Sequence, residues 1–327
     1  MHISYYSTES AFDTTVGYGQ AGKGVIESLQ KLGHLVNLNN PKAPIQFNFI
    51  QPIHYQFNNN DQYVIGYTPW ESTNLPMYWL ENFNKCDEVW TPSPLIAAWY
   101  RRAGVRKPIK VYLHGIHDVW KDVKLREKKD DVFRFLHIGE PAPRKGGNIV
   151  VETFIELFGD NPKYQLTIKA NQNVESKFKD PFGQPYDLKK FPNIKFVTQQ
   201  LEDEQILKIM HMHDCLVYPS WGEGFGFIPL QAMATGMPTI CVDAWAPYDN
   251  SITLKLRSRL IDSPWPLMHP GLMFEPDREH LKELMLEVIE NYKFYSKIAF
   301  KNSFILHKEY DWIELTKKAF LHLEKIS

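Results

Sequence analysis

Two cations, Arg144 and Lys145, stand beside Gly146 and Gly147 in the segment that runs from Glu140 to Gly147. An apolar run, Phe133 to Ile138, precedes them and an amphipathic stretch follows. A guanidinium forks two oxygens, an ammonium adds a point charge, and glycine lets backbone approach an anion. At a strand-to-helix turn this set suits a diphosphate. A solvated charged loop is the alternative, and the place at the carboxyl end of a strand counts against it.

A second glycine cluster, Gly17-Tyr18-Gly19-Gln20-Ala21-Gly22, has the spacing of a dinucleotide fingerprint, but its context is wrong. Ten residues separate Tyr6 from Gly17, and the stretch after Leu35 lacks the acidic residue expected about 20 positions on. The cluster still precedes a predicted helix N-terminus, where free N–H groups and the helix dipole favour an anion. A tight turn explains the glycines equally well.

The richest stretch is Tyr218–Val242. A strand ends at Tyr218, a Gly-rich turn carries Glu223, a helix follows through Gln231, and Gly236 then Pro238 stop it. His211 and His213 invite a metal reading, yet i and i+2 on a helix point apart, so no metal is expected. His114 and His117 fall at the predicted cleft; for His114 an assisting role and a turn role both fit. The cluster Arg101, Arg102, Arg106 and Lys107 reads as a solvated face, or as a lead to a polyanionic or membrane-surface acceptor.

These groups need a scaffold, and the rhythm of the chain supplies one. In the first half, strands are expected at His2–Tyr6, Val64–Tyr67, Glu88–Thr91 and Lys110–Leu113. Helices are expected at Gln20–Leu32, near Leu75–Phe83 and at Pro94–Ala103. The alternation restarts at Phe133–Ile138 and runs through Asn148–Phe158, Gln165–Lys169, Ile194–Val197, Asp203–Met212, Cys215–Tyr218, Phe227–Thr235 and Thr239–Val242. From Arg278 onward the spacing is helical. This is the pattern of two doubly wound α/β domains in series, with a ligand cleft beyond the strand ends.

The charged segment Lys121–Asp131 is read as the solvated boundary, giving domains 1–125 and 126–305, with 306–327 a C-terminal helix packing back toward the first domain. The net charge of -1 excludes a surface built wholly for nucleic acid, though not a local basic groove. Three scattered cysteines fit buried positions in a reducing compartment. With no signal-peptide pattern and no apolar run long enough to span a bilayer, a cytoplasmic location is expected. Aromatics make up 14% of the chain, and the core is expected to take most of them.

The sequence resembles the retaining glycosyltransferases of the family-4 type, whose GT-B fold pairs two Rossmann-like domains across a cleft. The family's mark is a Glu, seven residues and a second Glu, in a pattern like PS-x-x-EGFG-x-x-x-x-EAMA-x-G-x-P. Here the match is Pro219, Ser220, Glu223-Gly224-Phe225-Gly226, Gln231-Ala232-Met233-Ala234, Gly236 and Pro238. It extends to the Gly17 loop, Gly33-His34, Asp87 to Ser93, His114 to Asp118 and Arg144-Lys145-Gly146.

The resemblance implies transfer of a hexose or pentose from a nucleotide-diphosphate donor, with no metal and no cofactor beyond that donor. Glu223 would contact sugar hydroxyls, and Gly224, Phe225 and Gly226 would face sugar and phosphate. Arg144 and Lys145 would hold the diphosphate beside Glu140, with Gly17, Tyr18 and Gly19 closing from the other domain. Val197–Leu201 would border the nucleobase. The acceptor is left open: glycan, lipid-linked glycan or modified nucleic acid. Rival readings are a nucleotide-sugar epimerase or hydrolase, and a non-catalytic sugar-nucleotide or nucleic-acid binding module.

Two departures matter. Gln231 stands for the second Glu, which would bind ribose hydroxyls; an amide both donates and accepts there. Many relatives place a histidine beside the reacting carbon, where this chain reads Tyr67-Thr68-Pro69-Trp70-Glu71-Ser72. Glu71 is the expected substitute, with Trp70 as an apolar cleft wall; an N-cap role for Glu71 is the alternative. The segment Asp243–Met273 departs most, which points to an unusual sugar or acceptor.

Overall fold

The computed structural model describes residues 1–7, 17–58, 61–171 and 187–325. The first sheet begins with β1 (His2–Tyr6), followed by α1 (Gly17–Lys31), β2 (Leu35–Leu38), β3 (Ile45–Phe49) and β4 (Tyr63–Tyr67). Then come α2 (Trp79–Lys85), β5 (Glu88–Thr91), α3 (Pro94–Ala103) and β6 (Ile109–Val111). The strands lie in the order β2-β1-β3-β4-β5-β6, all parallel. The order reverses between β1 and β3, which opens a crevice at their carboxyl ends.

The second sheet is built from β7 (Phe133–Ile138), α4 (Gly147–Phe158), β8 (Tyr164–Lys169), β9 (Ile194–Val197), α5 (Asp203–His211) and β10 (Cys215–Tyr218). It continues through α6 (Phe227–Ala234), β11 (Thr239–Val242) and β12 (Leu254–Leu256). Its order, β12-β11-β10-β7-β8-β9, is also parallel and reverses between β7 and β10. Arg144 and Lys145 follow β7, and Glu223 follows β10. They flank the switch point from either side.

An antiparallel hairpin, β13 (Ser258–Asp262) with β14 (Leu272–Pro276), follows β12. The chain ends in α7 (Arg278–Glu290), α8 (Tyr292–Glu309) and α9 (Trp312–Phe320). The last helix packs on the first sheet. Trp312 sits where a Cβ on Gly24 or Gly115 would lie 2.2 or 2.5 Å from its ring, and Phe320 stands edge-on to Trp90 at 4.9 Å. The aromatic residues Phe47, Phe49, Tyr67, Trp90 and Tyr112 fill the core of this sheet, fully buried or nearly so.

Local signals explain the elements that were legible. In α3, Ser93 accepts from the Leu95 N–H, Pro94 opens the helix, and Gly104 at φ 98° closes it. Several expectations need correction. The first helix starts at Gly17 and not at Gln20, so Gly17, Tyr18 and Gly19 are its first turn rather than a loop before it. α2 starts at Trp79, four residues beyond Leu75, because Pro76 turns the chain and Trp79 donates to its carbonyl. With Tyr78 at the N-cap, Glu71 is no helix cap.

β2, β3, β12 and the hairpin were passed over. Leu35 and Leu38 are over half exposed on an edge strand, and β3 carries Gln46 and Asn48 inside. Asn48 meets its needs by bonding the Gln56 backbone in both directions, at 2.9 and 3.2 Å. The 121–131 segment is not uniformly solvated either. Arg126 is buried and donates to the carbonyls of Met210 and His213 and to Thr235 Oγ1.

Candidate active site

Where the carboxyl ends of the two sheets face one another lies a cavity of about 500 Å³, within the range of small-ligand sites. From the second sheet it is lined by Glu140, Arg144, Lys145, Glu223, Gly224, Phe225, Gly226 and Gln231, among others. The first sheet contributes Gly17, Tyr18, Gln20, Phe49, Glu71 and His114.

Glu223 is the centre of the charged wall. Lys145 Nζ lies 2.8 Å from each of its carboxylate oxygens, and Arg144 Nη1 is 3.4 Å from Oε1. Ser220 and Tyr218 hydroxyls donate to Oε1 at 2.7 and 3.0 Å. Burial alone would push this carboxyl up; Lys145 and Arg144 more than reverse that and hold it at about 2. Oε1 is therefore saturated, while among the described residues Oε2 accepts only from Lys145 and keeps room for a hydroxyl. Arg144 donates to the Gly222 carbonyl and lies 3.8 Å from Glu71 Oε1 across the cleft.

Close backbone approach builds this wall. Gly146, at φ 75°, sits where a Cβ would meet the Pro219 carbonyl at 2.3 Å, which welds the Arg144-Lys145 turn to the turn bearing Glu223. A Cβ on Gly222 would lie 2.3 Å from the Glu71 carbonyl, and one on Gly224 the same distance from Pro69 Cβ. These two glycines let the second wall touch the first.

Apart from Glu71 and Lys23, the opposite wall is aromatic and uncharged. Phe49 stacks on Tyr67 at 4.7 Å, and His114 stacks on Phe227 at 5.0 Å with 9° between the planes. His114 Nε2 lies 2.5 Å from the Tyr67 hydroxyl, and burial pushes the imidazole down to about 3. It is an uncharged member of the wall near neutral pH. Tyr18 reaches the Thr68 hydroxyl at 2.9 Å.

Three sequence candidates fall elsewhere. Trp70 is not a cleft wall: it is buried edge-on against Trp79 at 4.5 Å and donates to the Asn74 carbonyl at 2.8 Å. His117 turns away from the cavity, and its Nε2 donates to the Gln20 carbonyl at 3.0 Å. Gly19 is buried on the inner side of α1 and does not line the cavity. His213 spends both ring nitrogens on Ile209 O and Thr167 Oγ1, at 2.7 Å each.

Sequence reasoning missed five neighbours. Ser220 and Tyr218 lay in the quoted stretch, and their short spacing from Glu223 was the available signal. Gln20 and Asp203 join the cavity from α1 and α5, and His269 faces Glu71 Oε2 at 3.9 Å. The His269 loop is held there because the Thr73 and Asn74 N–H groups donate to the Leu272 and Pro270 carbonyls and the Leu272 N–H donates to Thr73 Oγ1.

Among solved structures, the whole chain superposes on the HepE protein of Anabaena, crystallised with UDP and glucose. The TM-score is 0.73 at 14% identity, with 99% of this chain and 100% of that one covered. Sucrose-phosphate synthase from Thermosynechococcus elongatus gives 0.70 at 14% identity, with 100% and 99% covered. The fold is GT-B, two parallel-sheet α/β domains facing a cleft.

Residues 118–300, more than half of the chain, match the family model "Glycosyl transferases group 1". The chain belongs to that family. Among curated relatives, the putative glycosyltransferase 45 of Sulfolobus islandicus filamentous virus (isolate Iceland/Hveragerdi) is 24% identical over 183 residues, 54% of this chain and 48% of that protein. The alpha-1,3/1,6-mannosyltransferase ALG2 of Mus musculus is 22% identical over 242 residues, 65% and 53% respectively. The serotype-specific mannosyltransferase WbdA of Escherichia coli is 31% identical over 111 residues, 33% and 13%. The matches thus span about half or less of each relative's length. Among the described residues, no helix is long and apolar enough to cross a membrane.

Proposed function

We propose that this protein transfers a sugar from a nucleotide-diphosphate donor to an acceptor hydroxyl, with retention and without a metal ion. The observation that carries the reading is Glu223 bracketed by Lys145 and Arg144 at the switch point of the second sheet, in the wall of a ligand-sized cavity. In this reading the diphosphate shares the two cations with Glu223. As the glycosidic bond breaks, negative charge grows on the leaving phosphate, and fixed cations stabilise it more than they stabilise the ground state. Two cations in place make a metal unnecessary.

Glu223 Oε2 accepts from a sugar hydroxyl, Gly224, Phe225 and Gly226 face the sugar and phosphate, and Gln231 meets the ribose. Glu71 stands at the reacting carbon from the first domain. Retention follows when the acceptor attacks the front face and a donor phosphate oxygen takes its proton. Two relatives carry mannosyltransferase names and one neighbour was crystallised with UDP and glucose. Uridine and guanosine diphosphate hexoses therefore head the donor panel. The acceptor, by the same reading, is a glycan, a lipid-linked glycan or a modified nucleic acid.

The test is a thermal-shift screen of nucleotide sugars, with each hit followed for nucleotide-diphosphate release with and without chelator. One donor should stabilise the protein and be slowly turned over, insensitive to chelator. Binding without turnover, unchanged in Glu223→Ala, would point instead to a binding module. Stabilisation by no nucleotide sugar would sink the proposal.

A further inference from the structure

A chain of amides crosses the cleft above the charged wall. Gln231 Nε2, on α6 of the second domain, donates to Gln20 Oε1 on α1 of the first at 2.7 Å. Gln20 Nε2 in turn donates to Asp203 Oδ1 at the start of α5, at 3.4 Å. All three residues line the cavity. Gln231 is 2% exposed, and its Oε1 has no hydrogen-bond partner among the described residues.

An unpaired buried acceptor costs about 1–3 kcal/mol, so it marks a place where a donor belongs. The orientation of the amide is fixed from outside. Its N–H points at Gln20, whose backbone is itself held by His117, so its oxygen is the atom left facing the site. A carboxylate at position 231 would accept from Gln20 only if the Gln20 amide flipped, which would turn Gln20 Oε1 against the Asp203 carboxylate and break that bond. Gln20 and Gln231 fit as a pair, which gives a physical reason for glutamine where the family pattern has glutamate.

We propose that Gln20 is a positioning residue for the donor's nucleotide: it holds the Gln231 amide so that Oε1 accepts from a ribose hydroxyl. Through Asp203, the same side chain links hydroxyl recognition to closure of the first domain on the second. This inference rests on the nucleotide-sugar reading above and deepens it. The ligand class it defines is a ribonucleotide, discriminated from its deoxy form by one accepted hydrogen bond.

The experiment measures binding of UDP and GDP, each beside its 2′-deoxy and 3′-deoxy forms, by titration calorimetry. Wild type should bind one ribonucleotide about tenfold more tightly than one of its deoxy forms, the size of one good hydrogen bond. Gln20→Ala should reduce that ratio to near one, as should Gln231→Ala, and in Gln20→Ala the KM for the donor should rise with kcat within about twofold. Gln20→Glu keeps an acceptor for Gln231 but loses the donor to Asp203. It should retain the ratio while weakening both nucleotides equally. A role for Gln20 confined to packing would leave the ratio intact in both Gln20 variants and lower it only in Gln231→Ala. A full ratio in folded Gln20→Ala overturns the inference while the donor reading stands. Failure of wild type to bind either nucleotide would bring down both.

Discussion

On the second sheet, the cavity wall holds one carboxylate between two cations and two hydroxyls, all packed through glycines against neighbouring backbone. On the first sheet, the facing wall is built mainly from Phe49, Tyr67 and a neutral His114, with Glu71 as its charged exception, and its other polar contacts are single bonds such as Tyr18 to Thr68. A wall that must meet developing charge is preorganised by mutual cross-links among its charged groups. The wall opposite supplies shape and a few orienting bonds. If that division is real, equal substitutions on the two sides should have unequal effects.

Lys145→Ala should produce the largest effect. Removing a fixed cation from the leaving-group site is expected to lower sugar transfer about 10²–10³-fold. Across the cavity, Tyr18→Phe removes one neutral hydrogen bond and should cost less than about tenfold. Initial rates at saturating donor measure both; comparable losses would break the comparison.

Acid should next separate the two walls. The Glu223 carboxyl is held at about 2 when folded, against an ordinary value of 4.5. Its contribution is present in full above pH 4.5 and is lost as the pH falls through 2. A depression of that size corresponds to about 3 kcal/mol. Denaturant titrations of wild type and Glu223→Gln at pH 6 and pH 3 should therefore show a stability gap that narrows in acid. Buried His114, His137 and His213, which burial pushes down to between about 3 and 4, also lose stability below pH 6.5. They do so in both proteins and cancel in the difference. A gap unchanged with pH would mean that Lys145 and Arg144 do not hold this carboxylate.

The contact between the walls can be strained separately. In Gly222→Ala the new methyl would lie 2.3 Å from the Glu71 carbonyl, so the two domains must part slightly. A stability loss of about 1–3 kcal/mol with weaker donor binding is expected. Gly139→Ala, within the second wall alone, meets nothing closer than 3.4 Å and should change stability by less than about 0.5 kcal/mol. Melting curves and donor titration would test the pair; equal losses would show that Gly222 has no special place between the domains.

The second wall was also the legible one. Arg144, Lys145 and Glu223 sit on strand–turn–helix junctions punctuated by glycine and proline, where types and spacing are set locally. Two doubly wound domains with a cleft at their strand ends followed from the α/β rhythm, although β2 and β3 did not, because their polar or exposed residues are decided by sheet position. Gln20 and His269 were illegible as site residues for the same reason. Gln20 lines the cavity beside Gln231, 2.7 Å away on the other domain, and His269 reaches Glu71 at 3.9 Å only because its loop is bonded to Thr73 and Asn74.

Trp70 sharpens the contrast at its smallest scale. It sits next to Glu71, which faces Arg144, yet its own ring is turned into the core against Trp79 and its indole N–H is spent on Asn74. Both lie in the irregular segment after β4, where the chain turns one side chain into the cavity and the other into the core to anchor the segment. Trp70→Phe keeps an aromatic ring against Trp79 and removes only the N–H to the Asn74 carbonyl. The expected cost is about 1 kcal/mol of stability, with sugar transfer unchanged at a temperature where both proteins stay folded. A tenfold loss of transfer without loss of stability would mean that the indole touches substrate. The first wall would then take part in recognition at a position where its geometry gives it only support.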